Sequence, residues 1–587
     1  MNDYRDPALP IDRRVEDLLR RMTVAEKAAL MFHPSTSPAG EGLSEQQAVA
    51  TAAHFAGEVG LSHFNVLGGE DSAAVAAWHN TLQEIAESTR LGVPVTLSTD
   101  PRHGFRSNLF TGQAMDSLSR WPDYPGIAAI GGTDAARVFG DVMRQELLAM
   151  GIRVLLGPMA DIFSEPRWSR GSGTFGEDPD RVADLAAAFI QALRGGADLG
   201  PESVAAVVKH FPGGGPQLRG DDAHDPRYPE QVYPGGQQEL HLRPFERALA
   251  AGATQVMTYY GKPVSTAWPE VGFAFNEPVV RDILRRRLGF DGIVVTDWNL
   301  LESEPMAGME FGPNGWGLEH VTPLERAAIA IDVGVDQFGG DRNSALIEEL
   351  VDSGRVSQAR LDESARRLLR EKFRLGLFEH RRVDPARTAA VCGSTPLAAR
   401  GVEAQQRSLV LLEDGARIAP GSRVLLDGVD AQAATAAGLV PVTDLAQAGA
   451  VVVRLDAPYE AGRGSLGDFF RGGSLEFTAE TVAEIERYAA SAPVYLSVYL
   501  ERPAVLTPLT APVTMLVGDF GASDAVVLSG FTGESAFTGA LPFDIPSSMA
   551  AVEASREDVP FDTADPLYQA GFGIGSGVGE ASERAVE

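Results

Sequence analysis

The feature that most constrains the fold is a long alternation of short apolar runs and helical stretches. The apolar runs lie near residues 63, 93, 153, 204, 253, 292 and 331. Helical patterns such as residues 134–150 and 278–289 separate most of them. A strand, a helix and another strand in series imply parallel pairing through crossover helices. Seven or eight such units predict a (β/α)8 barrel rather than one open sheet.

The chain has 587 residues, too many for one hydrophobic core, so two or three domains are expected. A second α/β pattern of about six strands follows the barrel, and "DAVVLSG" (524–530) is predicted as one of these strands. The predicted division is a barrel in 1–383, a linker in 384–402, an open α/β sandwich in 403–570 and a disordered tail in 571–587.

Local signals also predict how the chain begins. Residues 12–32 are predicted as a pair of helices, the second opening with Thr23 and Glu26 at the spacing of a capping box.

Polar or reactive side chains follow six of the predicted barrel strands. They are Asp100, Asp161, Lys209 with His210, Tyr259 with Tyr260, Asp297 and Asp336. A single aspartate in such a position more often caps the next helix. Lys209 is harder to explain in this way, because a buried lysine without a partner is costly. Since the carboxyl ends of barrel strands converge on one mouth, the set predicts an active site there.

Charge and composition exclude several kinds of partner. The chain carries 80 acidic and 50 basic residues, a net charge of −30, which disfavours nucleic acid and anionic membranes. No window of 18 consecutive apolar residues predicts a membrane span. The single cysteine, Cys392, cannot form an intramolecular disulfide, and the charged N-terminus has no apolar signal core. These features predict a cytoplasmic location.

Five segments resemble the signatures of glycoside hydrolase family 3. They are "STDPRHGF" (98–105), "SEPRWSRGSGTFGED" (164–178), "KHFPGGG" (209–215), "DAH" (222–224) and "GFDGIVVTDW" (289–298). Their order and spacing match, and the resemblance covers about 570 residues. It implies the two-domain β-glucosidase type, in which an α/β sandwich domain completes the active site of the barrel.

The resemblance also implies roles for individual residues. Asp297 corresponds to the nucleophile that attacks the anomeric carbon, and Trp298 to a wall beside the sugar ring. A retaining glycosidase needs in addition a proton donor about 5 Å from the nucleophile. The residues implied to bind the sugar are Asp100, Arg170, Lys209, His210, Met257 and Tyr260.

The sequence leaves the proton donor open. Two-domain members of the family use a glutamate on a second-domain loop, for which Glu460 is the nearest candidate; Ala461 stands at the matching position. Asp222 and His224 resemble the Asp-x-His of the N-acetylglucosaminidase branch, in which the histidine transfers the proton. The other acids considered are Asp456, Asp468 and Glu476.

The predicted function is that of an exo-acting retaining β-glycosidase, in the first place a β-glucosidase. The alternatives are a β-N-acetylglucosaminidase or glycoside phosphorylase that uses His224, a β-xylosidase, and a sugar-binding protein without activity. No cofactor and no metal is expected, because histidines are few and none form an H-x-x-x-H pair. The expected partner is a small β-glycoside or oligosaccharide, and a homo-oligomer is compatible with the sequence.

Overall fold

The computed structural model describes residues 3–38, 44–69, 71–108, 112–306, 309–463, 466 and 469–576. Asp468 and the end of the predicted tail, from residue 577, lie outside the described residues. Among the described residues, no helix has both the length and the apolar character needed to cross a bilayer.

The first half of the chain forms a closed barrel of parallel strands, which confirms the predicted fold class. Its strands, in chain order, are β1 (Phe32–His33), β2 (Ser35–Thr36), β3 (His63–Val66), β4 (Thr96–Thr99), β5 (Ile152–Leu155), β6 (Ala205–Phe211), β7 (Glu230–Gln231), β8 (Gln255–Thr258), β9 (Lys262–Pro263), β10 (Ile293–Trp298), β11 (Glu304–Met306), β12 (Met309–Phe311) and β13 (Gln337–Gly339). The barrel sheet has the order β1-β13-β10-β8-β6-β5-β4-β3-β2, and β7–β9 and β11–β12 form small pairs beside it.

One short segment closes the barrel. β1 and β2 are two halves of a single strand, separated by Pro34, which has no N–H to donate to a ladder. β1 pairs with β13 through Phe32 and Phe338, whereas β2 pairs with β3 through Ser35 and Asn65. Both edges of the sheet therefore end on the same segment, and the described strands leave no open edge in the barrel.

Helices surround the barrel. They are α1 (Ile11–Arg21), α2 (Val24–Leu30), α3 (Glu45–Ala52), α4 (Ser72–Glu87), α5 (Tyr124–Ile130), α6 (Asp134–Ala149), α7 (Pro179–Arg194), α8 (Gln238–Ala250), α9 (Pro323–Val333), α10 (Ala345–Asp352) and α11 (Gln358–Arg374), with π-helical segments at Ala53–Val59 and Pro278–Arg287. α2 begins as predicted, because the side chain of Thr23 accepts from the N–H of Glu26 and the Glu26 carboxylate accepts from the N–H of Thr23.

Asp336 does not lie at the mouth of the barrel, contrary to the prediction. The run near residue 331 is the end of α9, which Gly334 terminates in a left-handed conformation, and β13 begins only after Asp336. Asp336 thus precedes its strand at the opposite end of the barrel. There it accepts hydrogen bonds from Arg367 at 3.0 Å and Ser364 at 2.7 Å, so it has a structural role.

The second sheet is mixed and smaller. Its strands are β14 (Val410–Glu413), β15 (Arg423–Asp427), β16 (Val440–Val442), β17 (Ala450–Asp456), β18 (Val494–Tyr499) and β19 (Met515–Asp519), in the order β14-β19-β18-β17-β15-β16. Only the β14–β19 pair is antiparallel. The helices here are α12 (Pro385–Val391), α13 (Thr395–Ser408), α14 (Ala431–Ala436), α15 (Ala479–Ala489), α16 (Thr507–Thr510), α17 (Asp524–Thr532) and α18 (Met549–Ala554).

One segment after the barrel differs from its prediction in kind. The run 524–530, predicted as a strand, lies in α17, which Ser523 caps through the N–H of Val526. A short apolar run that is buried all round has no periodicity that separates strand from helix. The predicted linker, 384–402, is mostly helical, since it contains α12 and the start of α13. Residues 571–576 of the predicted tail are also placed, with the N–H of Ile574 donating to the carbonyl of Leu411 at 3.0 Å.

Buried contacts fix the second domain over the barrel. Arg502 is fully buried and donates to the carbonyl of Arg167, in the barrel, at 2.9 Å. Asp558 accepts from the N–H groups of Gly235 and Gln237, both at 2.7 Å. The Arg502 bond holds the loop after β18 against the barrel, and the Asp558 bonds hold the segment after α18 against it.

Candidate active site

A cavity of about 450 Å³ lies at the carboxyl ends of the barrel strands. The predicted site residues that line it are Asp100, Arg170, Lys209, His210, His224, Met257, Tyr260, Asp297 and Trp298. Glu460 does not line it. The topology therefore brings together all but one of the predicted site residues.

Asp297 ends β10 and is 6% exposed. Its Oδ1 accepts from the N–H of Trp298 at 2.9 Å, whereas its Oδ2 is buried and has no hydrogen-bond partner among the described residues. Burial raises the pKa of Asp297, and the positive charges of His224, Arg170 and Lys209 act in the opposite direction. The carboxylate thus lies in the cavity wall beside several cations that favour its ionised form.

Asp100 and Lys209 form an ion pair on another wall. Lys209 Nζ donates to Asp100 Oδ1 at 2.8 Å, and Asn65 Nδ2 approaches Asp100 Oδ2 at 3.4 Å. Both side chains are largely buried, so a ligand hydroxyl replaces water here rather than competing with bulk solvent. The pair offers an acceptor and a donor side by side, which is what neighbouring sugar hydroxyls require.

Asp161 orients His210 from behind. The buried Asp161 carboxylate accepts from His210 Nδ1 at 2.8 Å and from the N–H of Gly214 at 2.5 Å. Burial raises the pKa of Asp161 to about 6, against the lowering effect of these backbone N–H groups. Burial, together with the charges of Arg170 and Lys209, lowers the pKa of His210 well below its usual value. A neutral His210 that donates through Nδ1 keeps Nε2 as an acceptor, 3.9 Å from Asp297 Oδ2.

The glycines after Lys209 allow this close approach. A Cβ on Gly215 would lie 1.9 Å from the carbonyl oxygen of Ile162, so no larger residue fits without moving the backbone. The loop that carries "PGGG" is therefore packed directly on the strand-end segment that holds Asp161.

Arg170 and Trp298 complete the pocket. Arg170 is buried, and its Nε and Nη1 have no hydrogen-bond partner among the described residues. Tyr260 fixes the turn after the nucleophile, because its hydroxyl donates to the carbonyl of Trp298 and accepts from the N–H of the same residue, both at 2.8 Å. The Trp298 indole donates to Ser35 Oγ at 3.3 Å, and Trp298 lines the cavity. Met257, on β8, is buried beneath it.

His224 enters the cavity from the loop after β6 and is 4% exposed. Its Nδ1 lies 2.5 Å from Asp222 Oδ1, and Asp222 Oδ2 also accepts from Trp168 Nε1 at 3.0 Å and Tyr259 Oη at 3.2 Å. Burial alone would raise the pKa of Asp222, but the charge and hydrogen bond of His224 and the charge of Arg170 lower it to about 2. An ionised Asp222 can only accept, so Nδ1 carries a proton and Nε2 is the nitrogen that can exchange one.

Aromatic rings enclose the His224 imidazole. Phe470, from the second domain, stacks on it with a centroid distance of 4.4 Å, and Phe311 lies 6.2 Å away in a near-parallel orientation. Tyr260 meets it edge-on at 4.6 Å. Phe311 and Phe470 were not predicted as site residues, since each is far from His224 in the chain and neither belongs to a motif.

Glu460 lies outside the cavity. Its side chain is 48% exposed, pairs with Arg463 Nη1 at 2.6 Å and accepts from the N–H of Ser474 at 3.2 Å. Partial burial acts to raise the pKa of Glu460, but these two hydrogen bonds lower it below its usual value. A carboxylate that is ion-paired, ionised and turned to solvent is unsuited to donate a proton, so the geometry does not support Glu460 as the acid.

The alternative acids of the same loop are no better placed. Asp456 is bound by Arg106 and by Arg471, the latter at 3.2 Å. Glu476 is exposed, and neither Asp456 nor Glu476 lines the cavity. Within the part of the chain that the structure describes, no group of three His, Cys, Asp or Glu side chains could hold a metal ion.

Comparison with known proteins gives a consistent result. The model of the family described as "Glycosyl hydrolase family 3 N terminal domain" matches residues 45–371. The chain is 40% identical over 580 residues to probable beta-glucosidase C of Aspergillus flavus, covering 97% of this chain and 91% of that protein. It is 37% identical over 602 residues to a periplasmic beta-glucosidase/beta-xylosidase of Dickeya chrysanthemi, covering 98% and 91%.

A solved structure shares the fold. That of a β-glucosidase from Erythrobacter marinus superimposes with a TM-score of 0.78 and 22% identity, covering 97% of this chain and 84% of the other.

Proposed function

The chain belongs to glycoside hydrolase family 3, and from its cavity we propose that it is an exo-acting retaining β-glucosidase in which Asp297 is the nucleophile and His224 the proton donor. The observation that carries this proposal is that Asp297 and His224 line the same small, buried cavity. The names of the relatives, β-glucosidases at 40% and 37% identity, support the substrate class.

In the first step, the sugar ring lies against Trp298 with its anomeric carbon at the unpartnered Oδ2 of Asp297. Asp297 attacks this carbon while His224 Nε2–H gives its proton to the departing oxygen. The products are a covalent glycosyl-aspartate and the free aglycone.

In the second step, neutral His224 takes a proton from a water molecule, which attacks the anomeric carbon and releases the sugar and the Asp297 carboxylate. One water is consumed, and two inversions give net retention. Asp222 supports both steps, because its ionised carboxylate holds the imidazole in orientation and stabilises the imidazolium.

His224 is a better donor than Glu460 for a physical reason. Proton transfer requires hydrogen-bond reach of the leaving oxygen, and of the two only His224 faces the cavity. The second domain contributes an aromatic side chain, Phe470, beside His224, and its described candidate acids, Asp456, Glu460 and Glu476, do not line the cavity.

A panel of nitrophenyl glycosides tests the function. We expect the β-glucoside to be hydrolysed with the β-anomer of glucose as the first product, as followed by NMR. First release of the α-anomer would show inversion and exclude the covalent intermediate. Activity confined to the β-N-acetylglucosaminide, or dependent on added phosphate, would assign the enzyme to the branch that shares the Asp-x-His.

A β-xylosidase activity of the same site is the second candidate, because the relative from Dickeya chrysanthemi is named for both activities. The β-xyloside in the same panel measures it. The cytoplasmic location stays a prediction of the sequence.

A further inference from the structure

Three buried polar side chains lie together on the inner side of the barrel, next to the cavity at its mouth. His33 belongs to β1, Asn65 to β3 and Ser98 to β4, and each is at most 2% exposed. The interior of such a barrel is normally filled with branched apolar side chains, and a buried polar group is costly unless it is hydrogen-bonded. Of the three, only Asn65 also lines the cavity. Asn65 is thus the member of the group that a ligand can reach.

These side chains form one series of hydrogen bonds that ends at Asp100. His33 Nε2 lies 2.8 Å from Ser98 Oγ, and Ser98 Oγ donates to Asn65 Oδ1 at 3.0 Å. Asn65 Nδ2 approaches Asp100 Oδ2 at 3.4 Å, whereas Lys209 Nζ binds Asp100 Oδ1 at 2.8 Å. Asp100 therefore turns Oδ2 toward Asn65, while its other oxygen is already engaged by a cation.

The carboxylate of Asp100 sets the direction of this series. A carboxylate only accepts, so the Asn65 amide turns its nitrogen toward Asp100 and its oxygen toward Ser98. The single hydroxyl proton of Ser98 then goes to Asn65, which leaves His33 Nε2 as the donor to Ser98. Burial lowers the pKa of His33 to about 3, so the ring is neutral and carries its one N–H proton on Nε2. The Asn65 amide is thus fixed in one orientation.

We propose that Asn65 binds the sugar by donating to the same hydroxyl from which Asp100 accepts. This inference rests on the proposed function, which places a sugar ring in the cavity. A hydroxyl is both a donor and an acceptor, and Asn65 Nδ2 and Asp100 Oδ2 offer one partner of each kind side by side in the cavity wall. Ser98 and His33 are positioning residues, since they act through the Asn65 amide. The pair selects for a sugar that carries this hydroxyl, because its absence leaves both groups unpaired.

The 2-, 3-, 4- and 6-deoxy analogues of nitrophenyl β-glucoside test this proposal. The measured quantity is the ratio of kcat/KM for the glucoside to kcat/KM for each analogue, in which any loss of active protein cancels. Asp100→Ala identifies the hydroxyl that Asp100 binds, because the ratio should fall most at that position. In Asn65→Ala we expect a fall of about tenfold at the same position and of less than about twofold at the others. Unchanged ratios, or a fall at a different position, would overturn the proposal.

Ser98→Ala tests the positioning role and also serves if Asn65→Ala does not fold. It removes the hydroxyl that holds the Asn65 oxygen, so the ratio should fall about threefold at the same position. Thr258→Val is the matched control, because Thr258 has a buried hydroxyl without a hydrogen-bond partner among the described residues and does not line the cavity. It should change no ratio by more than about twofold. Equal falls at all four positions in Ser98→Ala would contradict the positioning role.

Binding measurements separate this inference from the proposed function. If the wild type does not hydrolyse nitrophenyl β-glucoside, the proposed function is refuted, and calorimetry with glucose and its deoxy analogues gives the same ratios as affinities. A fall of about tenfold at one position in Asn65→Ala would then still support Asn65 as a sugar-binding residue. Wild-type affinities that are equal for glucose and all its analogues, or ratios that Asn65→Ala leaves unchanged, would overturn it.

Discussion

Two loops meet over the mouth of the barrel, one from each domain, and each carries a candidate proton donor. The barrel loop buries His224 between Phe311 and Phe470 and holds it by Asp222. The second-domain loop leaves Glu460 exposed and paired with Arg463. Of the two side chains, only His224 lines the cavity at the mouth of the barrel.

The second-domain loop contacts the barrel loop that carries His224, whereas its own Glu460 stays outside the cavity. Arg463 binds Asp221, next to Asp222, through two hydrogen bonds of 2.7 and 3.0 Å, and Phe470 of the same loop stacks on His224. The second-domain loop thus acts on the barrel loop as a clamp. Positioning of this kind affects the rate because small displacements of a catalytic group are costly.

The largest effect is expected for a substitution of the proposed nucleophile, Asp297. Asp297→Ala removes the nucleophile, so kcat on nitrophenyl β-glucoside should fall on the order of 10⁴-fold or more, with binding and residual electrostatics remaining. Circular dichroism should be unchanged, since Asp297 Oδ2 makes no internal hydrogen bond among the described residues. Activity within tenfold of the wild type would remove Asp297 from this role.

His224→Ala distinguishes the two loops directly. Loss of a general acid costs about 10²- to 10⁴-fold on a substrate with a poor leaving group and little on an activated one. We expect cellobiose hydrolysis to fall by this factor, while dinitrophenyl β-glucoside still forms the glycosyl-enzyme. Added azide should restore the turnover of dinitrophenyl β-glucoside and give β-glucosyl azide as the product. If Glu460→Ala shows this pattern and His224→Ala does not, the second-domain loop supplies the acid after all.

The pH profile of kcat/KM sharpens the same contrast. Asp297 must be ionised for activity. Because burial raises its pKa, kcat/KM should begin to fall at a pH above the range in which aspartates usually titrate. The His224 charge lowers that pKa, so in His224→Ala the acid limb should move to higher pH. A shift of the acid limb to lower pH would contradict the assigned proximity.

A moderate effect on kcat is expected for a substitution of Arg463, which links the second-domain loop to the barrel loop. Arg463→Met should lower kcat on cellobiose by about tenfold and leave dinitrophenyl β-glucoside nearly unaffected, because only positioning of the acid is lost. Arg463→Lys, which keeps the charge, should recover part of the loss. Arg487→Met is the matched control, since Arg487 is exposed and pairs with Glu484 within the second domain. Equal losses on both substrates would indicate a general structural defect instead.

The smallest effect is expected for Glu460→Gln. The variant keeps the shape of the side chain and removes an exposed ion pair with Arg463, which contributes little to stability. Activity on cellobiose should stay within about twofold of the wild type. A selective loss on cellobiose, measured beside dinitrophenyl β-glucoside, would restore Glu460 as a candidate.

Most of the fold and of the sugar cavity follows from local patterns. The alternation of strands and helices determines a parallel barrel, because short crossovers allow no other closed arrangement. A parallel barrel brings the carboxyl ends of its strands together, which is why Asp100, Lys209 and Asp297 meet although they are far apart in the chain. Residues 331–336 do not form a strand, because the apolar residues at the start of this segment belong to the buried face of α9.

The sequence by itself determined the barrel, the family and the residues at the strand ends, since each depends on neighbours along the chain or on a motif. Only the tertiary structure decided which candidate donor faces the cavity. That choice depends on how a loop of the second domain packs, with Arg463 held by Asp221 and Phe470 placed against His224. Burial at the cavity makes His224 the proposed proton donor, whereas ion pairing keeps Glu460 a surface carboxylate, and neither property can be read from spacing.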